Sequence, residues 1–139
     1  AGFETSSTTM TFALFELAQH QEIQEKLRRE INSCLVKTEG KLTYESLSEM
    51  HYLDHVINET LRKYPPVPTL TRKCTQDYQL RDTNITLKKG TAVIVSVMGL
   101  HYDPEYYPNP EQFDPERFSE ERKSKIHPYT HLPFGEGPL

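Results

Sequence analysis

The sequence has 139 residues, 35% of them hydrophobic, with a net charge of −4 and a mean hydropathy of −0.69. One domain with a real core is possible at this length, but the composition is lean for a free-standing globule and suits part of a larger one. Interspersed acids and bases leave no basic stripe for nucleic acid, and eight tyrosines and six phenylalanines argue against disorder.

No apolar run approaches the roughly 20 residues of a membrane span, and no signal-peptide pattern is present. The opening Ala1-Gly2-Phe3-Glu4-Thr5 has no initiator methionine and starts within a helical pattern, as expected of an internal stretch. Cys34 and Cys74 have no metal-type spacing; two free thiols suit a reducing cytosolic environment.

All ten prolines follow Tyr64, dividing the chain into a helical front and a proline-punctuated back. Thr9 to Ala18 reads as the end of a buried helix. A second, amphipathic helix is predicted from Gln19 to Lys37, with Ile23, Leu27, Ile31 and Leu35 at i, i+4 spacing. Thr38-Glu39-Gly40-Lys41 ends it, and Ser46-x-x-Glu49 fits a capping box for a short helix.

The clearest helix runs from about Leu53 to Tyr64. Leu53, Val56, Ile57, Thr60, Leu61 and Tyr64 form its stripe, and Pro65-Pro66 stops it. Strands are expected at Thr69–Cys74, Tyr78–Leu80, Ile85–Leu87 and Thr91–Val97, with Lys89-Gly90 as a turn. From His101 onward, prolines and aromatics predict an ordered coil pinned by its side chains, a form that needs a functional or packing reason.

Glu59-x-x-Arg62 places a carboxylate and a guanidinium on one helical face, where they can pair. Alone, this is the pattern of a solvated ion pair. About fifty residues later the coil carries Pro115-Glu116-Arg117-Phe118. A planar guanidinium can bridge a carboxylate and pin an otherwise unstructured segment.

Two further motifs stand at the ends. Ala1-Gly2-Phe3-Glu4-Thr5-Ser6 sets a glycine beside an acid and a hydroxyl, which lets a helix depart locally from regular hydrogen bonding. Leu132-Pro133-Phe134-Gly135-Glu136-Gly137-Pro138 is a glycine-rich turn whose backbone can approach a ligand closely.

Together, in this order, these motifs resemble the cytochrome P-450 family of haem-thiolate monooxygenases. The resemblance implies a mainly α fold with a small β portion (α+β), in which residues 1–139 form part of one domain, from the oxygen-activation helix to just before the haem-cysteine loop. Glu4 and Thr5 would be catalytic, Thr5 hydrogen-bonding bound dioxygen or its water and Glu4 relaying protons. Glu59, Arg62 and Arg117 would form the family's structural ion-pair cluster, the second arginine reaching back from the coil.

Arg72, Phe134, Gly135 and Gly137 would bind haem. Ala1, Val67, Pro68, Thr69 and Leu70 would face substrate. Tyr64-Pro65-Pro66-Val67-Pro68-Thr69-Leu70-Thr71-Arg72 resembles the loop and strand after the Glu-x-x-Arg helix. His101-Tyr102-Asp103-Pro104 and Asn109-Pro110-Glu111-Gln112-Phe113 resemble the approach to the coil, with His101 structural. By the family's spacing the ligand cysteine lies two residues beyond Leu139, so no residue of this chain would hold the metal. Leu139 stands where the family has Arg or His against a haem propionate.

The wording of several segments resembles insect microsomal family-six members. That implies haem and NADPH-derived electrons as cofactors, NADPH-cytochrome P-450 reductase and cytochrome b5 as partners, and apolar xenobiotic, steroid or lipid substrates. It also implies an endoplasmic reticulum membrane location through an N-terminal anchor. By the same resemblance, the 139 residues alone should be inactive.

Two rival readings come from the residues themselves. His51, His55 and Glu59, spaced i, i+4, i+8, offer two imidazoles and a carboxylate to zinc or iron on one helical face. A zincin signature would need Glu where Tyr52 stands. The other rival is a non-catalytic helical interaction module, which leaves the coil and the glycine-rich turn without a purpose.

Overall fold

The computed structural model describes residues 2–136, and Ala1, Gly137 and Leu139 lie outside them. Helices dominate: α1 (Glu4–Gln19), α2 (Gln21–Lys37), α3 (Tyr44–Ser48) and α4 (His51–Lys63) precede strands β1 (Thr69–Lys73), β2 (Tyr78–Gln79), β3 (Thr86–Leu87) and β4 (Ala92–Ser96). Helices α5 (Val97–His101) and α6 (Glu120–Lys123) follow, with a 3₁₀ turn at Pro115–Phe118 between them. This is the expected α+β class. No helix among the described residues is long and apolar enough to cross a membrane.

The core lies where α1, α2 and α4 meet. Leu17, Leu27, Tyr52, Val56 and Phe113 are buried together, with Ile23, Ile31 and Leu53 packed against them. Two carboxylates and one ring stack fix the helices in place. Glu30 of α2 accepts the Tyr52 and Leu53 amides at 2.8 and 2.9 Å, satisfying two orphan donors at the start of α4. Glu16, buried in α1, accepts from Lys63 Nζ at 2.8 Å and from the Tyr64 hydroxyl. Phe12 stacks on Tyr64 with ring centroids 4.1 Å apart.

Several local expectations are corrected. The first helix is not buried: only Glu16 and Leu17 are, and Leu14 is 67% exposed. Leu17 and Phe12 pack against the other helices, while Met10 and Leu14 line an open groove. The helix also runs through Gln19 and breaks at His20, so α2 starts two residues later than its stripe suggests. The break is held by the His20 backbone amide and ring, both meeting the Glu16 carbonyl.

The capping box belongs to Thr43, not Ser46. The Ser46 amide donates to Thr43 Oγ1, and the Thr43 amide to Ser46 Oγ, leaving Glu49 outside. Gly40 does end α2, its amide reaching back to the Leu35 carbonyl at 2.8 Å. Glu39 takes the left-handed position before it, at φ 52°.

The strands form two separate antiparallel ribbons, β1 with β4 (Leu70 opposite Val95, Arg72 opposite Val93) and β2 with β3. Val97 was expected to close the last strand, but it starts α5, capped by Ser96 Oγ accepting from the Gly99 amide. The Met98 amide donates to the Pro68 carbonyl, tying α5 to the segment entering β1. His101 thereby sits at the end of α5, beside α4.

Candidate functional site

Glu59 and Arg62 are both 0% exposed on α4. Arg62 grips Glu59 with two bonds, Nε to Oε2 at 2.7 Å and Nη2 to Oε1 at 2.9 Å. The rest of the guanidinium faces the coil, where Nη1 donates to the His101 carbonyl and Nη2 to the Pro110 carbonyl, each at 2.8 Å. Glu59 Oε1 also accepts the Asp114 amide at 2.9 Å. Tyr107 closes the cluster, its ring centroid 5.3 Å from Arg62 Cζ. A carboxylate and a guanidinium this deep persist because nearly every donor and acceptor is used.

Arg117 completes the charged triad, but in a different manner from Arg62. Its Nε lies 3.4 Å from Glu59 Oε1, in ion-pair contact without hydrogen-bond alignment. Its Nη2 donates to the Asn109 carbonyl at 2.8 Å, where Asn109 takes a left-handed conformation. Arg62 therefore makes the bidentate grip, while Arg117 closes the coil on itself.

Committing Glu59 to two arginines and an amide removes it from any metal site. His51 is exposed and His55 only half-buried on the same helix. Among the described residues no group of three His, Cys, Asp or Glu is placed to hold a metal ion. The His51–His55–Glu59 reading is overturned by burial: the third ligand is already neutralised.

The end motifs come together across the molecule. Thr5 of α1, Val56 and Leu61 of α4, Pro66 and Phe134 line one open apolar groove of about 660 Å³. Phe134 projects there, 84% exposed. Gly135, at φ +80°, lies against β1. A Cβ on it would meet Arg72 Nη2 at 3.4 Å and the Leu70 methyls at 3.5 and 3.6 Å. Leu70 and Arg72 sit two apart in β1, on one face of the ribbon.

Glu4 opens α1 and is exposed; Val67, Pro68 and Thr69 are exposed before and at the start of β1. The last three do not line the groove among the described residues. From Glu4 onward α1 is regular, with no side chain capping its start. Its hydroxyls bond backward: Ser6 Oγ to the Gly2 carbonyl and Thr9 Oγ1 to the Thr5 carbonyl, each at 3.0 Å.

Sequence reading missed how far His101 reaches. Its Nδ1 meets the Arg62 carbonyl at 2.9 Å, and its Nε2 accepts the Leu132 amide at 3.0 Å. The ring is fully buried, and burial pushes its pKa down to about 4. His131 stacks on it with centroids 5.4 Å apart and is likewise pushed down to about 4, first by burial and then by His101. The available signal was a histidine between the two charged motifs, in a coil too long to hold itself.

A buried Glu-Arg-Arg cluster pinning a coil, followed by a glycine turn on a β-ribbon, is the arrangement the motifs imply. The family model for cytochrome P450 matches residues 1–138, and the chain belongs to that family. It is 52% identical over 138 residues to Cytochrome P450 6k1 of Blattella germanica, covering 99% of this chain and 26% of that protein. It is 56% identical to probable cytochrome P450 6a20 of Drosophila melanogaster, covering 99% and 28%. With Cytochrome P450 6d1 of Musca domestica the identity is 48% over 142 residues, covering 99% and 27%. The chain thus spans about a quarter of the length of these insect family-six relatives.

Proposed function

We propose that the full-length protein carrying this chain is a haem-thiolate monooxygenase inserting one atom of dioxygen into apolar substrates with NADPH-derived electrons. These 139 residues form part of its single catalytic domain. The observation that carries the reading is the convergence of Thr5 and Phe134 on one apolar groove, with Gly135 facing Arg72 and Leu70 of β1 beside it.

These residues fit haem. An apolar groove accepts a flat macrocycle, and Gly135, at φ +80°, lets the loop turn beside Leu70 and Arg72. Arg72 has no carboxylate partner among the described residues, only the Thr71 carbonyl at 3.1 Å, so its charge is available to a propionate. Gly137 and Leu139 belong to the same reading, Leu139 standing where the family has a propionate-binding cation. When bound through a cysteine thiolate two residues beyond Leu139, haem supplies the electron-rich iron that favours O–O cleavage.

The chain's own residues supply placement and protons. Phe134 lines the groove while Gly135 lies against β1, and the Thr5 hydroxyl orients a water or proton donor at the groove. Glu4, exposed one residue earlier, exchanges protons with solvent. Val67 to Leu70 present the substrate-facing edge, and Ala1 belongs to the same reading. The electron partners are NADPH-cytochrome P-450 reductase and cytochrome b5, reached at the endoplasmic reticulum membrane, where an N-terminal anchor holds the protein. Substrates are of xenobiotic, steroid or lipid type, and residues 1–139 alone are inactive.

The test is Thr5→Ala in the full-length protein. Haem content and substrate binding should persist while reducing equivalents go to peroxide or water. Unchanged coupling of NADPH consumption to product would remove Thr5 from the proton path.

A further inference from the structure

His101 lies outside the ion-pair cluster and outside the haem-facing residues, yet it touches both segments that must be aligned. Arg62 and His101 exchange bonds, Arg62 Nη1 to the His101 carbonyl and His101 Nδ1 to the Arg62 carbonyl. The Leu132 amide donates to Nε2, so the proton of the neutral ring must sit on Nδ1. One side of the imidazole is thus anchored to the last turn of α4. The other holds the backbone two residues before Phe134 and three before Gly135.

We infer that His101 is a positioning residue, a strut that sets the height of the Leu132–Glu136 loop above α4 and so places the segment leading to the ligand cysteine. This rests on the haem-thiolate reading. An imidazole is suited to the task because it carries a donor and an acceptor on opposite sides of a rigid ring. No other neutral side chain spans the two backbone groups so stiffly. The packing keeps it in place: the Tyr107 ring, edge-on with its centroid 6.3 Å away, and the His131 ring, with its centroid 5.4 Å away, enclose it.

Two substitutions separate the strut's ends. In His101→Asn the amide nitrogen overlays Nδ1 and keeps the bond to Arg62, but nothing reaches Leu132. In His101→Gln the longer side chain can reach Leu132 and gives up the ring's bond to Arg62. In the full-length haem protein, His101→Asn should speed amide exchange in peptides covering 130–136 by roughly three- to tenfold, the loss of about one hydrogen bond. Exchange in α4 and haem content should be unchanged, and the fraction of ferrous haem giving a thiolate-type carbon monoxide band should fall. His101→Gln should keep loop protection and the band close to wild type.

The inference is overturned if His101→Asn leaves loop exchange and the thiolate fraction at wild-type values, or if both variants loosen α4 and the loop alike. Should His101→Asn not load haem, His101→Gln decides: a protected loop with the band retained supports the strut, and loss of both overturns it. A wild-type protein lacking the thiolate band would sink the haem-thiolate reading instead, while the exchange comparison still judges the contact between His101 and Leu132.

Discussion

Arg62 and His101 hold each other through reciprocal bonds, 2.8 Å from guanidinium to carbonyl and 2.9 Å from imidazole to carbonyl. Residues 39 apart in sequence are thereby joined where α4 ends, and the Glu59–Arg62 pair becomes the origin from which the coil is laid out. The coil's carbonyls, more than its side chains, are what the arginines bind.

This arrangement ranks the arginines. Arg62→Ala leaves Glu59 buried without its bidentate partner, with Oε2 bare, and frees two carbonyls, so it should destabilise the full-length protein by about 3–5 kcal/mol. Arg117→Ala should also prevent stable haem loading, but at the lower end of that range, because Arg117 contacts Glu59 without alignment. Arg62→Lys should rescue little, since an ammonium cannot serve Glu59, His101 and Pro110 together. Denaturant unfolding orders the three, and an Arg117 variant less stable than the Arg62 variant contradicts the ranking.

Glu30 offers a test away from the cluster. Its carboxylate caps α4 from a neighbouring helix, so Glu30→Ala should lower stability by about 1–2 kcal/mol, with Glu30→Gln recovering part of that. The measurement is the unfolding midpoint at constant denaturant slope. An effect below about 0.5 kcal/mol would place Glu30 among ordinary surface charges.

Acid sensitivity follows from the buried imidazoles. Burial, with a smaller contribution from Arg62, holds His101 down to about 4, well below its ordinary 6.5. Between these values the unfolded chain takes up a proton that the folded one refuses. The neutral ring's contribution is complete above about pH 6.5 and is lost as pH falls toward 4, with a slope of at most ~1.4 kcal/mol per pH unit. His131 adds in the same direction. Stability measured at several pH values should show this loss, weakened in His101→Asn. A flat profile between about pH 6.5 and 4 would contradict the buried, neutral histidine pair.

The sequence made some of this legible because the features are local. The α4 stripe, the Pro65-Pro66 stop and the existence of strands β1 and β4 follow from periodicity and turn chemistry, while the pairing of β1 with β4 across the intervening ribbon does not. Pairing of Glu59 with Arg62 follows from helical spacing, but its burial does not: Ile57 in the same stripe is 39% exposed while both charges are hidden. That inversion depends on what the coil covers. The exposure of α1 was illegible for a related reason, since an apolar helix announces that it must be covered and never by what. His101 was read as structural from its resemblance alone, and its reach to Leu132 depends on α5, a helix the strand pattern concealed.

On the proposed function, the loop carrying Phe134 and Gly135 belongs to a thiolate-ligated haem centre that Glu59, Arg62 and Arg117 hold in register. This claim is tested most directly by the ferrous carbon monoxide difference spectrum of the full-length protein. The account predicts the red-shifted band of a thiolate-ligated haem, absent when residues 1–139 alone are mixed with haem and unaffected by Cys34→Ser or Cys74→Ser in the full-length protein. A band without that red shift in the full-length protein, or a thiolate-type band from residues 1–139 that either cysteine substitution abolishes, would contradict it.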